Sequence, residues 1–216
     1  WASHFFLVES DLVRILVVNS ASTHLNEIEA KRGGIERQYL DAIESQMNSL
    51  PAKAFQVALC HHHPIVHEDV GLGADDLMVN GDLLLQLLEQ HDFQLLVHGH
   101  KHYPRLRYAP AGAAALSVFA AGSLAATTPR TLSNTRNAFH VVELTDAVVE
   151  GCAKQGEIRS WFYSAGRGWR TAHEMGTDFP GVAGFGCRTA PAVVASEMAS
   201  VLTASGREVM SLREVR

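Results

Sequence analysis

The chain has 216 residues, of which 47% are hydrophobic, with 18 Lys and Arg against 23 Asp and Glu, a net charge of -5, a pI of about 6.2 and a mean hydropathy of +0.01. That balance gives a soluble globular sequence long enough for one sizeable core, and it excludes the basic footprint of a nucleic-acid binder. No apolar run reaches 18 residues, which excludes a membrane-spanning helix, and three widely spaced cysteines (Cys60, Cys152 and Cys187) exclude a disulfide framework. The chain opens on Trp1 rather than Met, and the cytoplasm is the expected compartment.

Residues 12 to 19 are rich in Val and Ile, broken only by Arg14, and predict a buried strand that ends at Asn19 and Ser20. His24 follows in a polar loop and reads as a surface histidine. Gly33 and Gly34 interrupt the chain before Ile35, Tyr39, Leu40, Ile43, Met47 and Leu50, whose spacing predicts an amphipathic helix packed on the sheet. Pro51 stops it. Ala54 to Cys60 is a second strand, which runs into His61, His62 and His63 and ends at Pro64. A long loop with His67, Asp69, Asp75 and Asp76 leads to Asp82, the expected start of a leucine-rich helix. The strand Phe93 to Val97 then opens into His98, Gly99, His100, Lys101 and His102. Strands alternating with helices predict an α/β layered fold. Leu116 to Leu124, Ala138 to Leu144 and Ile158 to Tyr163 read as shorter strands of a second, mainly antiparallel sheet. Glycines then accumulate from Gly166 to Gly186, and Pro191 to Ala204 carries Val194, Met198, Val201 and Leu202 at helical spacing. The expected division is therefore 1–165, one domain, and 166–216, a glycine-rich loop with a terminal helix.

Seven of the twelve histidines fall in two clusters, His61 to His67 and His98 to His102, each at the end of an apolar strand. Strand ends that open into loops are where parallel sheets build sites, and neutral imidazole is the commonest side-chain ligand for zinc, manganese and iron. In an extended segment residues two apart face the same way, so His100 and His102 can reach one ion or a close pair. Gly99 permits a tight turn, and Pro64 holds His63 extended. Neighbours on a strand face opposite ways, which makes His61, His63, His67 and His98 less direct candidates. Cys60 beside them reads as a small buried apolar residue.

The sequence HHP at His62 to Pro64 and GHKH at Gly99 to His102, 38 residues on, resembles the last two motifs, HxP and GHxH, of the calcineurin-like metallophosphoesterases. The resemblance covers about residues 1 to 165 and includes the pair Gly122 and Ser123. It implies a layered β-sandwich flanked by helices, represented here by its C-terminal part. It also implies metal ligation by His62, His100 and His102, with Tyr103 or Arg105 as neighbours of the substrate, while His63 and His67, beside the ligand position, are candidates for lining the substrate side. The family's DxH, GDxxxD and GNHD motifs, which carry its carboxylates and proton-donating histidine, do not occur in this chain.

The activity implied is hydrolysis of phosphate esters, as a phosphodiesterase or phosphatase. Two divalent ions (manganese, iron or zinc) would hold a bridging hydroxide that attacks phosphorus. The implied partners are a phosphate-ester substrate and the missing N-terminal half of the domain. Without that half the chain is expected to bind metal weakly, hydrolyse little and expose apolar edges. The competing reading is a non-catalytic or truncated module of the same fold, acting in binding or regulation. Two other hydrolase patterns fail: the metallo-β-lactamase HxHxDH needs an acid where Pro104 stands, and amidohydrolases place HxH after their first strand.

Overall fold

The computed structural model describes residues 3–22, 26–66, 77–108, 116–126, 136–145, 155–171, 174 and 181–186. The expected loop residues His67, Asp69, Asp75 and Asp76, together with His24, Cys152, Cys187 and the segment 191–204, lie outside them.

The chain is mixed α/β. A six-stranded sheet runs in the order β1 (Phe5–Glu9), β2 (Val13–Val18), β3 (Phe55–Leu59), β4 (Leu95–His98), β6 (Ser117–Ala120) and β5 (Arg105–Tyr108). Its centre, β2–β3–β4–β6, is parallel, and β1 and β5 close the edges antiparallel. The helices α1 (Glu27–Arg32), α2 (Arg37–Ser49) and α3 (Gly81–Gln90) lie in the crossovers. A second, antiparallel sheet joins β7 (Ala138–Thr145), β8 (Gln155–Ser164), β9 (Gly168–Thr171) and β10 (Val182–Gly186).

Strand period decides which face goes where. Leu16, Ala58, Leu96 and Val118 point to one side of the large sheet and pack with Leu40, Ile43 and Met47 of α2 and Leu84, Leu87 and Leu88 of α3. Val57, Leu95 and Phe119 point to the other side and meet Ala138, Ile158, Phe162, Ala183 and Phe185 of the small sheet. The result is three layers, helices on sheet on sheet. Because β3, β4 and β6 are covered on both faces, they are buried along almost their whole length, Gln56, His98 and Ser117 included. That explains one departure from the sequence expectation: the run around Ser117–Ala120 belongs to the large parallel sheet, paired with β4, rather than to the small one. β9 and β10 lie within the glycine-rich stretch after residue 165 and pair with β8.

The outer edge strand β1 leaves Phe6 and Val8 about half exposed (47% and 49%), and Leu12 beyond it is 62% exposed, so that sheet edge is apolar.

Between the sheets, His140 accepts a hydrogen bond at Nε2 from the Gly122 amide (3.1 Å), which leaves Nδ1–H to donate to Ser160 Oγ (2.8 Å). Its ring stands edge-on to Phe119. Burial pushes its pKa from 6.5 down to about 4. In the unfolded chain His140 takes up a proton as pH falls through 6.5, whereas the folded protein resists until about 4. Its contribution to stability is therefore complete above 6.5 and is lost across that window, by up to about 3 kcal/mol. Urea midpoints measured at pH 7 and pH 4.5 should fall less for His140→Gln than for the unmodified chain, because the amide oxygen still accepts from Gly122 but does not titrate. Equal falls would remove His140 from the acid response.

Candidate metal centre

The C-terminal ends of β2, β3 and β4 lie side by side, so Ser20, His61 to His63 and His100 arrive at one rim. The backbone locks them there. The Cys60 amide bonds the Val97 carbonyl and the Gly99 amide bonds the His61 carbonyl, each at 3.0 Å, which ties the HxP loop directly to the GHxH loop.

His62 is fully buried and held at both ring nitrogens. Nδ1 lies 2.9 Å from Ser20 Oγ, and Nε2 lies 3.1 Å from the Ala30 carbonyl. Ser20 Oγ also accepts the amides of His61 and His62, each at 3.1 Å. Ala30 sits in the last turn of α1, where helix carbonyls have no partner within the helix, so the Nε2–H of His62 satisfies one of them. That tautomer makes Nδ1 the acceptor and Ser20 the donor. α1 is placed by Asn26, whose Oδ1 accepts the amides of Ile28 and Glu29, and it ends at Gly33.

His61 is exposed and its Nε2 lies 3.1 Å from Nδ1 of half-buried His100. The ring centroids of His61 and His62 are 4.8 Å apart, and those of His62 and His100 are 4.6 Å apart. One nitrogen from each of the three lies within 4.8 Å of the others, and this is the group of metal-ligating side chains found among the described residues. Burial, then the neighbouring charges of His61, Lys101 and His63, push the His100 pKa down to about 4, so its imidazole is neutral and able to ligate at pH 7.

The sequence candidates are distributed as follows. His62 and His100 come together, and His61 joins them where the motif names His102. His102 is half-buried, with a left-handed backbone (φ 59), and is outside that group. His100 is left-handed as well (φ 75), a conformation uncommon for residues other than glycine and concentrated at functional sites. His63 is buried, with its ring 6.2 Å from those of His98 and His100, and His98 is buried at the end of β4. Tyr103 and Arg105 are half-buried, Arg105 as the first residue of β5. Cys60 packs against the helix-side core and its Sγ lies 3.2 Å from the His62 carbonyl. Burial pushes its thiol up to about 12.

The donor set suits one ion. In a tetrahedral site with metal to nitrogen bonds of about 2.0 to 2.1 Å, two ligand nitrogens are about 3.3 Å apart, so a group spanning 4.8 Å closes by a shift of about 1.5 Å, shared among the rings. No carboxylate belongs to the group among the described residues, and a second ion has no ligand set there.

No family model and no curated protein matches the chain. Among solved structures it is similar to GAP50, described as the anchor in the inner membrane complex of Plasmodium, with 10% identity and a TM-score of 0.44 over 87% of this chain and 54% of that one. It is also similar to a single mutant of Vps29 from Entamoeba histolytica, with 13% identity and a TM-score of 0.31 over 81% of this chain and 99% of that one. The chain thus spans about half the length of the Plasmodium protein. No helix among the described residues is long and apolar enough to cross a membrane.

Proposed function

We propose that this chain is the histidine-bearing part of a metal-dependent hydrolase of phosphate esters, with a fold of the metallophosphoesterase type. The observation that carries the reading is the meeting of HxP and GHxH: His62 and His100 are 38 positions apart in sequence and their rings are 4.6 Å apart at one rim of a parallel sheet. Sheet-on-sheet layers with helices outside accord with it. His62 and His100, with His61, would hold the ion, and a bound divalent ion supplies charge to oppose the negative oxygens of a phosphate ester. The chain's own contribution is orientation. Ser20 and the Ala30 carbonyl fix the His62 ring, the Gly99 amide on the His61 carbonyl holds the His61 and His100 loops together, and burial keeps His100 neutral.

A second reading, a non-catalytic binding module, is favoured by the absence of a carboxylate from the group among the described residues. Hydrolysis of bis-p-nitrophenyl phosphate and p-nitrophenyl phosphate decides between them. The assay uses manganese or zinc, with the chain alone and with the chain extended at Trp1 by a segment bearing the DxH, GDxxxD and GNHD motifs. Turnover is expected in the extended form, abolished by His100→Ala and kept in His91→Ala. No turnover in either form with either metal would select the binding module.

A further inference from the structure

We infer that the chain binds one ion of the zinc class, rather than a manganese pair, through an all-imidazole set in which His61 is a ligand. This deepens the metal-dependent reading above and rests on it for the location of the site, but it assigns a residue that neither HxP nor GHxH names. The sequence pattern points the other way, since alternation along an extended segment would turn His61 from the side occupied by His62. The chain after β3 is no longer extended, however, and the Gly99 amide on the His61 carbonyl holds His61 beside the GHxH loop.

Three observations carry the inference. First, His61 Nε2 and His100 Nδ1 are already 3.1 Å apart, close to the roughly 3.3 Å that separates two nitrogens on a tetrahedral zinc ion. An ion taking the place of the proton between them needs little rearrangement of that pair. His62 completes the set through Nε2 by releasing the Ala30 carbonyl; its proton then resides on Nδ1, which donates to Ser20 Oγ across the same 2.9 Å, the supporting hydrogen bond that metal-binding histidines ordinarily make from the remote nitrogen.

Second, the donors are three nitrogens with no oxygen from Asp or Glu in the group among the described residues. Imidazole suits zinc, copper, nickel and iron, whereas manganese and magnesium favour carboxylate, carbonyl and water oxygen, so the donor type itself discriminates against manganese. Third, three protein ligands leave a fourth tetrahedral position for a small molecule, as in zinc sites that act on substrates rather than in closed structural ones. One edge of the site is open, because His61 is exposed while His62 is buried.

The test is equilibrium dialysis of the 216-residue chain against zinc, cobalt or manganese chloride, with metal analysis and the visible spectrum of the cobalt form. Expected are one zinc or one cobalt per chain, a cobalt d–d band of four-coordinate intensity, and at least 100-fold weaker retention of manganese. His61→Ala should weaken zinc binding at least 10-fold and alter the cobalt band. Because His61 is exposed, its far-UV circular dichroism should remain that of the unmodified chain. His91→Ala should change neither. Zinc binding unaltered by His61→Ala, or two manganese ions per chain, would overturn the inference while leaving a metal-dependent hydrolase intact. Zinc binding as expected, with no phosphoesterase activity in the extended chain, would leave the inference standing and remove the hydrolase.

Discussion

Gly33→Ala is expected to destabilise the protein by about 3 to 5 kcal/mol and to abolish metal binding, although Gly33 is not a ligand and lies at the end of a six-residue helix. Two effects combine. The backbone at Gly33 has φ 64 and ψ -172, a region essentially confined to glycine, which costs an L-residue about 1 to 3 kcal/mol. The larger effect is steric: a methyl carbon there would fall on the His62 ring, 2.6 Å from Cε1 and closer still to Nδ1 and Cγ. His62 is fully buried, so the ring moves only by giving up Ser20 Oγ or the Ala30 carbonyl, and each buried polar group left without its partner costs about 1 to 3 kcal/mol. Gly166→Ala separates the two effects. Its φ is 77, but nothing lies within 4 Å of an added methyl, so it should cost only the backbone term and leave metal binding unchanged. Urea unfolding and zinc dialysis on both variants measure the difference. If Gly33→Ala came within about 1 kcal/mol of Gly166→Ala and still bound zinc, the packing of Gly33 against His62 would not be what sets the ring.

The residues that make the site were legible in the sequence to different degrees. The meeting of His62 and His100 was legible because it follows from strand direction: parallel neighbours β3 and β4 end at the same rim, and each ends in histidine. The helical stripe Leu40, Ile43 and Met47 was legible from its period. His61 was ranked below its neighbours by a strand rule applied two residues past the end of β3. Ser20 and Ala30 had no readable signal. Ala30 acts through its carbonyl, which every residue has, and Ser20 looked like the end of a strand, which it also is. β9 and β10 were hidden by their glycines, which read as loop. Gly156, in the facing strand β8, has a packing reason instead, because a methyl there would meet the Phe185 ring of β10 and the Glu143 carbonyl of β7. The strand around Ser117–Ala120 carried a usable clue: Val118, Phe119, Ala120 and Ala121 follow one another without polar alternation, as in a strand covered on both faces, and all four residues of the strand are buried.

Arg14, the one charged residue in an otherwise apolar strand, gives the second large effect: Arg14→Met is expected to destabilise by about 3 to 5 kcal/mol without changing metal stoichiometry. Its side chain is 1% exposed and makes three polar contacts: Nε to Glu9 Oε1 (2.6 Å), one terminal nitrogen to Gln56 Oε1 (2.9 Å) and the other to the Pro51 carbonyl (2.9 Å). Gln56 continues the network through its side-chain amide to the His91 carbonyl, and its backbone amide donates to Gln94 Oε1 (2.8 Å), while Gln94 donates to the Asp92 carbonyl. These groups join the N-terminal ends of β2, β3 and β4, the edge of the sheet opposite the histidines. Methionine fills much of the volume and removes the charge, so the loss it reports is that of the stranded acceptors on Gln56 and Pro51 rather than of a cavity. Glu9→Gln should cost under about 1 kcal/mol, because the Glu9 side chain is 33% exposed and water can replace part of the pair. The two effects therefore rank Arg14 far above Glu9, and the ordering itself is the measurement. An Arg14→Met chain as stable as Glu9→Gln would mean that water reaches Gln56 and Pro51 and that the buried network does not hold the strand ends together.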